Sequence, residues 1–313
     1  MEYRNHLSIT ANILINELFI INKFSMSEKK FLNQCHETII IEENGQKNFI
    51  KKFIPFSYEL TNEIRWLTDE KIKKCASFQT PHIVSYSLKD GYIKMQYIND
   101  SPTNIARTQK KISRLIIIAA ELHSIINTST PLLKYPIPNS SKYTEYIIEY
   151  TKKRIKRLED YNYLNKNISK WIMKSVQLYN TETFTITHRD LRPRHLLWSQ
   201  ENEKPFLIDW EYTNISDPAQ DIAKIIYEYI RKNTKEKNII NSAISIIAEY
   251  KKQKKSIIFS EILNRVLNFL LIISIENSAS LLSRKPKGYH NAIIKELQLL
   301  YNFYEETHHH NNN

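Results

Sequence analysis

Between residues 186 and 212 the chain gathers the side chains best able to do chemistry. His188-Arg189-Asp190 closes an apolar, β-like run, Pro193 and His195 follow closely, and Asp209 comes directly after Phe206-Leu207-Ile208. Each acid therefore stands at the end of a short predicted strand. Carboxylates 19 positions apart, placed at the ends of paired strands, can converge on one metal-phosphate centre. Phosphoryl transfer needs such a centre: metal ions held by carboxylate and amide-type ligands neutralise the transferring group, while another carboxylate takes the proton of the attacking hydroxyl. The two acids must be separate residues, one facing the nucleophile and the other the metal. A His-x-Asp pair alone is an ordinary surface loop, so the weight rests on the joint order and spacing.

The strings THRDLRPRHLLW and FLIDWEYTNISDPAQDIA, with Leu122-His123-Ser124-Ile125 upstream, resemble the H-x-D-x-x-x-x-N and I-D-W/F-E signature of the aminoglycoside phosphotransferase and choline kinase superfamily. The resemblance spans residues 18–230 and is most specific over 186–223. It implies Asp190 as the base that deprotonates a substrate hydroxyl, Asp209 as a magnesium ligand, and Asp221 as a structural acid bonded back to the catalytic loop. Where the signature has Asn this chain has His195, a softer metal ligand than magnesium usually takes. In the first half, the resemblance implies a lysine on the nucleotide phosphates paired with Glu63. Lys51 is preferred over Lys52, because alternation puts Phe49, Lys51 and Phe53 on one strand face. ATP would lie against the hinge Gln96-Tyr97-Ile98, read mainly through its backbone. Two further departures are Arg189, where small-molecule kinases more often have Gly, and the first-strand turn NKFSMSEKK, which has no glycine to close over phosphate and offers Ser25 and Ser27 instead.

The elements that must position these residues are legible despite only three glycines. Asn44-Gly45 and Asp90-Gly91, each between β-branched and aromatic runs, read as hairpin turns. Between them Leu60, Ile64, Leu67 and Ile72 recur at about helical period. After Asp100 helical patterns dominate, interrupted by a β-like patch at 183–212. With these elements the resemblance implies an α+β, bilobal, protein-kinase-like fold: a small antiparallel β N-lobe with one helix over residues 1–98 and a larger helical C-lobe over 99–306, followed by a tail at 307–313 that is expected to be disordered.

Composition fits a packed globular chain, with 42% hydrophobic and 25% charged residues. Two cysteines, Cys35 and Cys75, allow no disulfide framework, no Cys/His pair has metal-ligand spacing, and a reducing cytoplasm is expected. The apolar run Val266 to Ile275 is ten residues, against the ~20 that a membrane helix needs, and reads as a buried helix. No signal peptide or transmembrane segment is expected. Residues 101–313 hold 32 basic and 21 acidic side chains, and the runs KKRIKR and KKQKK at 152–157 and 251–255 read as solvated helix faces. No nucleic-acid fingerprint accompanies them, so nucleic acid is not expected as a partner.

The function expected from the resemblance is ATP-dependent phosphorylation, with magnesium, of a hydroxyl on a small molecule. The choline, ethanolamine and thiamine class ranks ahead of antibiotics. A polycationic aminoglycoside is disfavoured by the basic second half and by Arg192 and Arg194, which either clamp a substrate anion or face solvent. Trp210, Tyr212 and Tyr227 are core aromatics or a seat for a quaternary ammonium group. Glu211 is a substrate carboxylate or a helix-facing ion-pair partner. The rival readings are a catalytically silent nucleotide-binding scaffold, suggested by His195 and the glycine-free turn, and a protein kinase, suggested by Arg189. Against the latter stand IDWE in place of D-F-G and the lack of an A-P-E element.

Overall fold

Asn44 and Gly45 take left-handed backbone, with φ of 51° and 75°, as a tight two-residue hairpin turn requires. They join two of five antiparallel strands. These are β1 (Lys29–Leu32), β2 (Glu37–Glu43), β3 (Gln46–Lys52), β4 (Ile83–Ser87) and β5 (Tyr92–Gln96), in the order β1-β2-β3-β5-β4. The second hairpin is longer than its Asp-Gly signal suggests. Residues 88–91 form the loop, with Asp90 accepting from Ser87 Oγ at 2.6 Å. Gly91 has φ 68°, and a Cβ there would lie 2.4 Å from the Phe53 carbonyl oxygen, so only glycine fits. The computed structural model describes residues 29–32, 37–100, 108–125, 140–199, 204–232, 239–255, 258–284 and 290–309. Ser25, Ser27 and Cys35 lie outside the described residues.

The chain divides into two compact units, residues 1–60 with 82–97 and residues 61–81 with 98–313. One division falls between Tyr97 and Ile98. Residues 61–81, grouped by the sequence reading with the N-terminal lobe, instead belong to the second unit. The reason lies in α1 (Tyr58–Thr68) and the segment after the short α2 (Glu70–Lys73). The Asn62 amide donates to the backbone oxygens of Glu211 (2.8 Å) and Thr213 (2.7 Å), and Trp66 Nε1 donates to Thr213 O at 3.0 Å. Gln79 exchanges backbone hydrogen bonds with Pro205 and Leu207.

The second unit is mainly helical. It contains α3 (Thr108–Leu122), α4 (Ser140–Asp160) and α5 (Lys166–Gln177), then α6 (Ala219–Lys232), α7 (Ile239–Gln253), α8 (Phe259–Arg284) and α9 (His290–His309). Two small ribbons interrupt them: β6 (Thr185–Thr187) pairs with β9 (Asn214–Ser216), and β7 (Leu196–Leu197) pairs with β8 (Phe206–Leu207). Helix α8, which carries the apolar run, packs against α4, α6, α7 and α9. By length and composition it alone among the described residues could cross a membrane, yet 67% of its apolar window is buried in the fold. Helix α9 runs to His309, so the first three residues of the expected disordered tail are helical, and 310–313 lie outside the described residues.

Candidate active site

The two ribbons set two short loops side by side. The first, His188 to His195, leaves β6 and ends in a 3-10 turn at Pro193–His195, whose proline presets the turn backbone. The second begins at Ile208, directly after β8. His188 Nε2–H donates to the Ile208 carbonyl at 3.1 Å, and Ile208 N–H donates to His195 O at 3.1 Å, which ties one loop to the other. Arg189 and Asp209 both take left-handed backbone, with φ of 66° and 70°, unfavourable for side chains of this size. The left-handed φ accounts for the glycine that the resemblance expects where this chain has Arg189.

Asp221, on α6, fixes the first loop as expected of it. Its carboxylate accepts from the backbone N–H of His188 (2.9 Å) and of Arg189 (2.7 Å). It also faces His123 Nε2 at 3.1 Å, while Tyr250 OH lies 2.7 Å from His123 Nδ1. A carboxylate only accepts, so Nε2 carries the ring hydrogen and Nδ1 accepts from Tyr250. Burial holds His123 below its ordinary 6.5, and His123 is the core histidine of this network. Asp217 caps the start of α6, accepting from Ala219 N at 2.8 Å.

Asp190 is buried and surrounded by cations. Lys224 Nζ lies 3.2 Å from Oδ1, Arg192 Nε donates to the same oxygen, and His195 Nδ1 is 3.5 Å from Oδ2. Burial pushes its carboxyl up, but Lys224, His195 and Arg192 outweigh that and hold it well below the usual carboxylate range. Ligand atoms of Asp190, His195 and Asp209 lie within 4.8 Å of one another, and so do those of Glu63, Asp209 and Glu211. His195 Nδ1 is 2.8 Å from the Asp190 carbonyl oxygen, which must accept, so in the neutral ring Nε2 keeps its lone pair. That nitrogen is 3.3 Å from Asp209 Oδ2. Two electron-rich atoms so placed, beside the Asp190 carboxylate, fit a divalent cation that accepts both oxygen and nitrogen ligands.

The other residues singled out from the sequence fall as follows. Lys51 is buried on β3 with its Nζ 5.0 Å from the Phe53 ring centroid, whereas Lys52 pairs with Glu37 at 3.2 Å. Glu63 is buried beside Asp209 and Glu211, within the second unit. Gln96 ends β5, its N–H donating to His82 O at 2.8 Å, and Ile98 is buried. Trp210 and Tyr227 are core, whereas Tyr212 is exposed and lines a cavity beside Asp190. Arg192 lines the same cavity, while Arg194 is exposed with its Nε 3.0 Å from His195 Nε2. Burial, with Glu121 and Asp69 nearby, pushes the Cys75 thiol up to about 12, which removes it as a nucleophile.

Sequence reasoning missed Lys224 and Asn62. A lysine in an amphipathic helix ordinarily faces water, but Asp221, Lys224 and Glu228 stand at i, i+3 and i+7 on a helix whose remaining face is apolar, a buried charged stripe. The run at 152–157 is expected to be a solvated face, and Lys152, Lys153, Lys156 and Arg157 are exposed while Arg154 is half-buried. Lys152 and Lys156 pair outward with Glu149 and Asp160, whereas Lys153, Arg154 and Arg157 line the cavity. In the run at 251–255, Lys254 donates to the His123 carbonyl rather than facing water alone.

Comparison with known proteins agrees with this fold. Solved structures similar to the chain include the aminoglycoside phosphotransferase APH(2'')-Ib, ADP-bound, at 16% identity and TM-score 0.57, covering 94% of this chain and 97% of that one. Choline kinase from Cryptosporidium parvum Iowa II is similar at 15% identity and TM-score 0.61, with 91% of each chain covered. The macrolide 2'-phosphotransferase MphH from Brachybacterium faecium is similar at 12% identity and TM-score 0.58, with 90% and 95% covered. At these identities the likeness is one of fold, the α+β protein-kinase-like fold that the sequence implied. No curated protein matches the chain by sequence. A model of the phosphotransferase enzyme family matches residues 61–237, more than half of the 313 residues, and the chain belongs to that family.

Proposed function

We propose that the chain transfers the γ-phosphoryl group of ATP to a hydroxyl of a small molecule, with Asp190 as the base. One observation carries the reading: an ionised, buried Asp190 shares a 4.8 Å cluster with His195 and Asp209. Asp190 accepts the acceptor's hydroxyl proton, the acceptor oxygen bonds to the γ-phosphorus, and the bond from that phosphorus to the β,γ-bridging oxygen breaks, releasing ADP. Lys224 and Arg192 keep the carboxylate charged and oriented until the proton arrives. Asp209 and His195 would hold magnesium. When bound, the ion supplies charge neutralisation on the nucleotide phosphates. Lys51 is the residue we assign to those phosphates, because it is buried on β3 beside Phe53. The backbone of Gln96 and Ile98 is assigned to adenine, and Glu63 supports the phosphate end. A cytoplasmic setting accompanies the reading.

The test is metal and nucleotide binding followed by turnover. Manganese binding, read by electron paramagnetic resonance in the presence of ADP, weakens by about tenfold to a hundredfold in Asp209→Asn. Lys51→Ala weakens ATP binding, while Lys52→Ala leaves it close to wild type. Manganese and ATP affinities unchanged by Asp209→Asn and Lys51→Ala contradict these assignments. The choline, ethanolamine and thiamine class suggested by the resemblance requires a seat for a cation, and the charge of the cavity bears directly on that.

A further inference from the structure

Beside Asp190 the second unit encloses a cavity of about 540 Å³, within the ~300–1,000 Å³ typical of small-molecule sites. Its charge is one-sided. Lys153, Arg154, Arg157, Arg189, Arg192 and Lys224 line it, against two carboxylates, Asp190 and Glu276. The six cations and two acids leave a formal excess of +4. The acids are already engaged, Asp190 with Lys224 and Arg192, and Glu276 as acceptor of the Tyr150 hydroxyl. Among the described residues, no carboxylate comes within ion-pair distance of Lys153, Arg154, Arg157 or Arg189.

Helix α4 sorts its charges by face. Tyr146, Tyr150, Lys153, Arg154 and Arg157 follow helical spacing along one stripe and line the cavity. Lys152 and Lys156 point away and are paired with Glu149 at 3.5 Å and Asp160 at 3.0 Å. The cations with no carboxylate partner are thus the ones turned toward the cavity. Arg154 lies over the Tyr150 ring, 3.2 Å from its centroid, and its Nη1 donates to the Tyr150 carbonyl at 3.2 Å; the donors left on a guanidinium so held suit a phosphate or carboxylate. A cationic acceptor entering here meets like charge on several sides, which opposes binding.

We infer that the acceptor is an anionic hydroxyl compound, a sugar or polyol bearing phosphate or carboxylate, seated on Lys153, Arg154, Arg157 and Arg189 with its hydroxyl toward Asp190. The inference rests on the phosphotransfer reading above and names the substrate class of the same site. Tyr146, Tyr150 and Tyr212 offer ring faces for the carbon skeleton.

Calorimetric binding in the presence of ADP tests it with matched compounds: glucose, glucose 6-phosphate and glucuronate; glycerol and glycerol 3-phosphate; choline and kanamycin. The phosphate or carboxylate member binds about tenfold or more tightly than its neutral parent, and the two glucose derivatives distinguish phosphate from carboxylate. Arg154→Glu with Arg157→Glu abolishes that preference, whereas Lys152→Glu with Lys156→Glu, the same charge change on the outer face, preserves it. Tighter binding of choline or kanamycin than of every anion overturns the inference, as does failure of all the anions to bind or an equal effect of the outer-face pair. Acceptor-stimulated ADP release then separates the two claims. Phosphorylation of choline or kanamycin, lost in Asp190→Asn, removes the anionic substrate and keeps the phosphotransferase. Anion binding with no ADP release under any acceptor keeps the anion site and removes the phosphotransfer reading.

Discussion

At the scale of single residues, the account turns on how charge is held. Asp190 is a buried carboxylate that stays ionised because Lys224, His195 and Arg192 offset its burial. Its folded value lies below the ordinary 3.8, so its contribution to stability is fully present above that pH and is lost as the pH falls further. Arg189 combines two opposing effects in one side chain. Its φ of 66° disfavours any residue but glycine by about 1–2 kcal/mol, while its guanidinium supplies cavity charge. Arg189→Gly is therefore expected to leave thermal stability equal or slightly higher while weakening binding of an anionic acceptor. Chemical denaturation and calorimetry on the same variant read the two effects separately, and a loss of stability contradicts the backbone argument. Asp190 and Asp209 stand out in the sequence because each follows a short apolar run, whereas His195 stands out only through the resemblance; the structure brings the three within one cluster. Lys224 and Asn62 do not stand out. Their roles depend on which face of a helix is buried, and one Lys or Asn in such a pattern looks the same on either face.

At the scale of elements, the short ribbons and α6 do the positioning. The His188–Ile208 and Ile208–His195 hydrogen bonds clamp the two loops, and Asp221 joins the first loop to α3 through His123 and to α7 through Tyr250. His123 is buried neutral, below its ordinary 6.5, so below that pH the unfolded chain binds the extra proton. Stability therefore falls as the pH drops from 6.5, by up to about 1.4 kcal/mol per pH unit for this ring. His123→Gln is expected to flatten the dependence of Tm on pH between 6.5 and 5 by about one proton's worth; an unchanged slope contradicts the neutral His123. The hairpins were legible from Asn-Gly and Asp-Gly, although the second became a four-residue loop, since only Gly91 must tolerate the Phe53 carbonyl. The facing of α4 was not legible. KKRIKR places a charge at nearly every position, so its pattern carries no period, and only packing against α8 decides which cations line the cavity.

At the scale of the whole molecule, the chain belongs to the phosphotransferase enzyme family. The order of its elements followed from turn signals and helical periodicity, and the α+β fold from the resemblance. The allocation of residues 61–81 to the second unit did not, because it depends on Asn62, Trp66 and Gln79 bonding to backbone more than 120 positions away. A formally basic second half became informative only once the structure separated paired surface lysines from cavity cations.

The most direct test is the single-turnover rate of ADP formation in wild type and Asp190→Asn at saturating ATP, magnesium and the best acceptor of the matched panel. The account predicts a fall of about 10²–10⁴-fold with ATP affinity little changed, because the mutant loses the proton acceptor and keeps the residues assigned to nucleotide. A rate within a few-fold of wild type would contradict it and leave Asp190 a structural partner of Lys224 and Arg192.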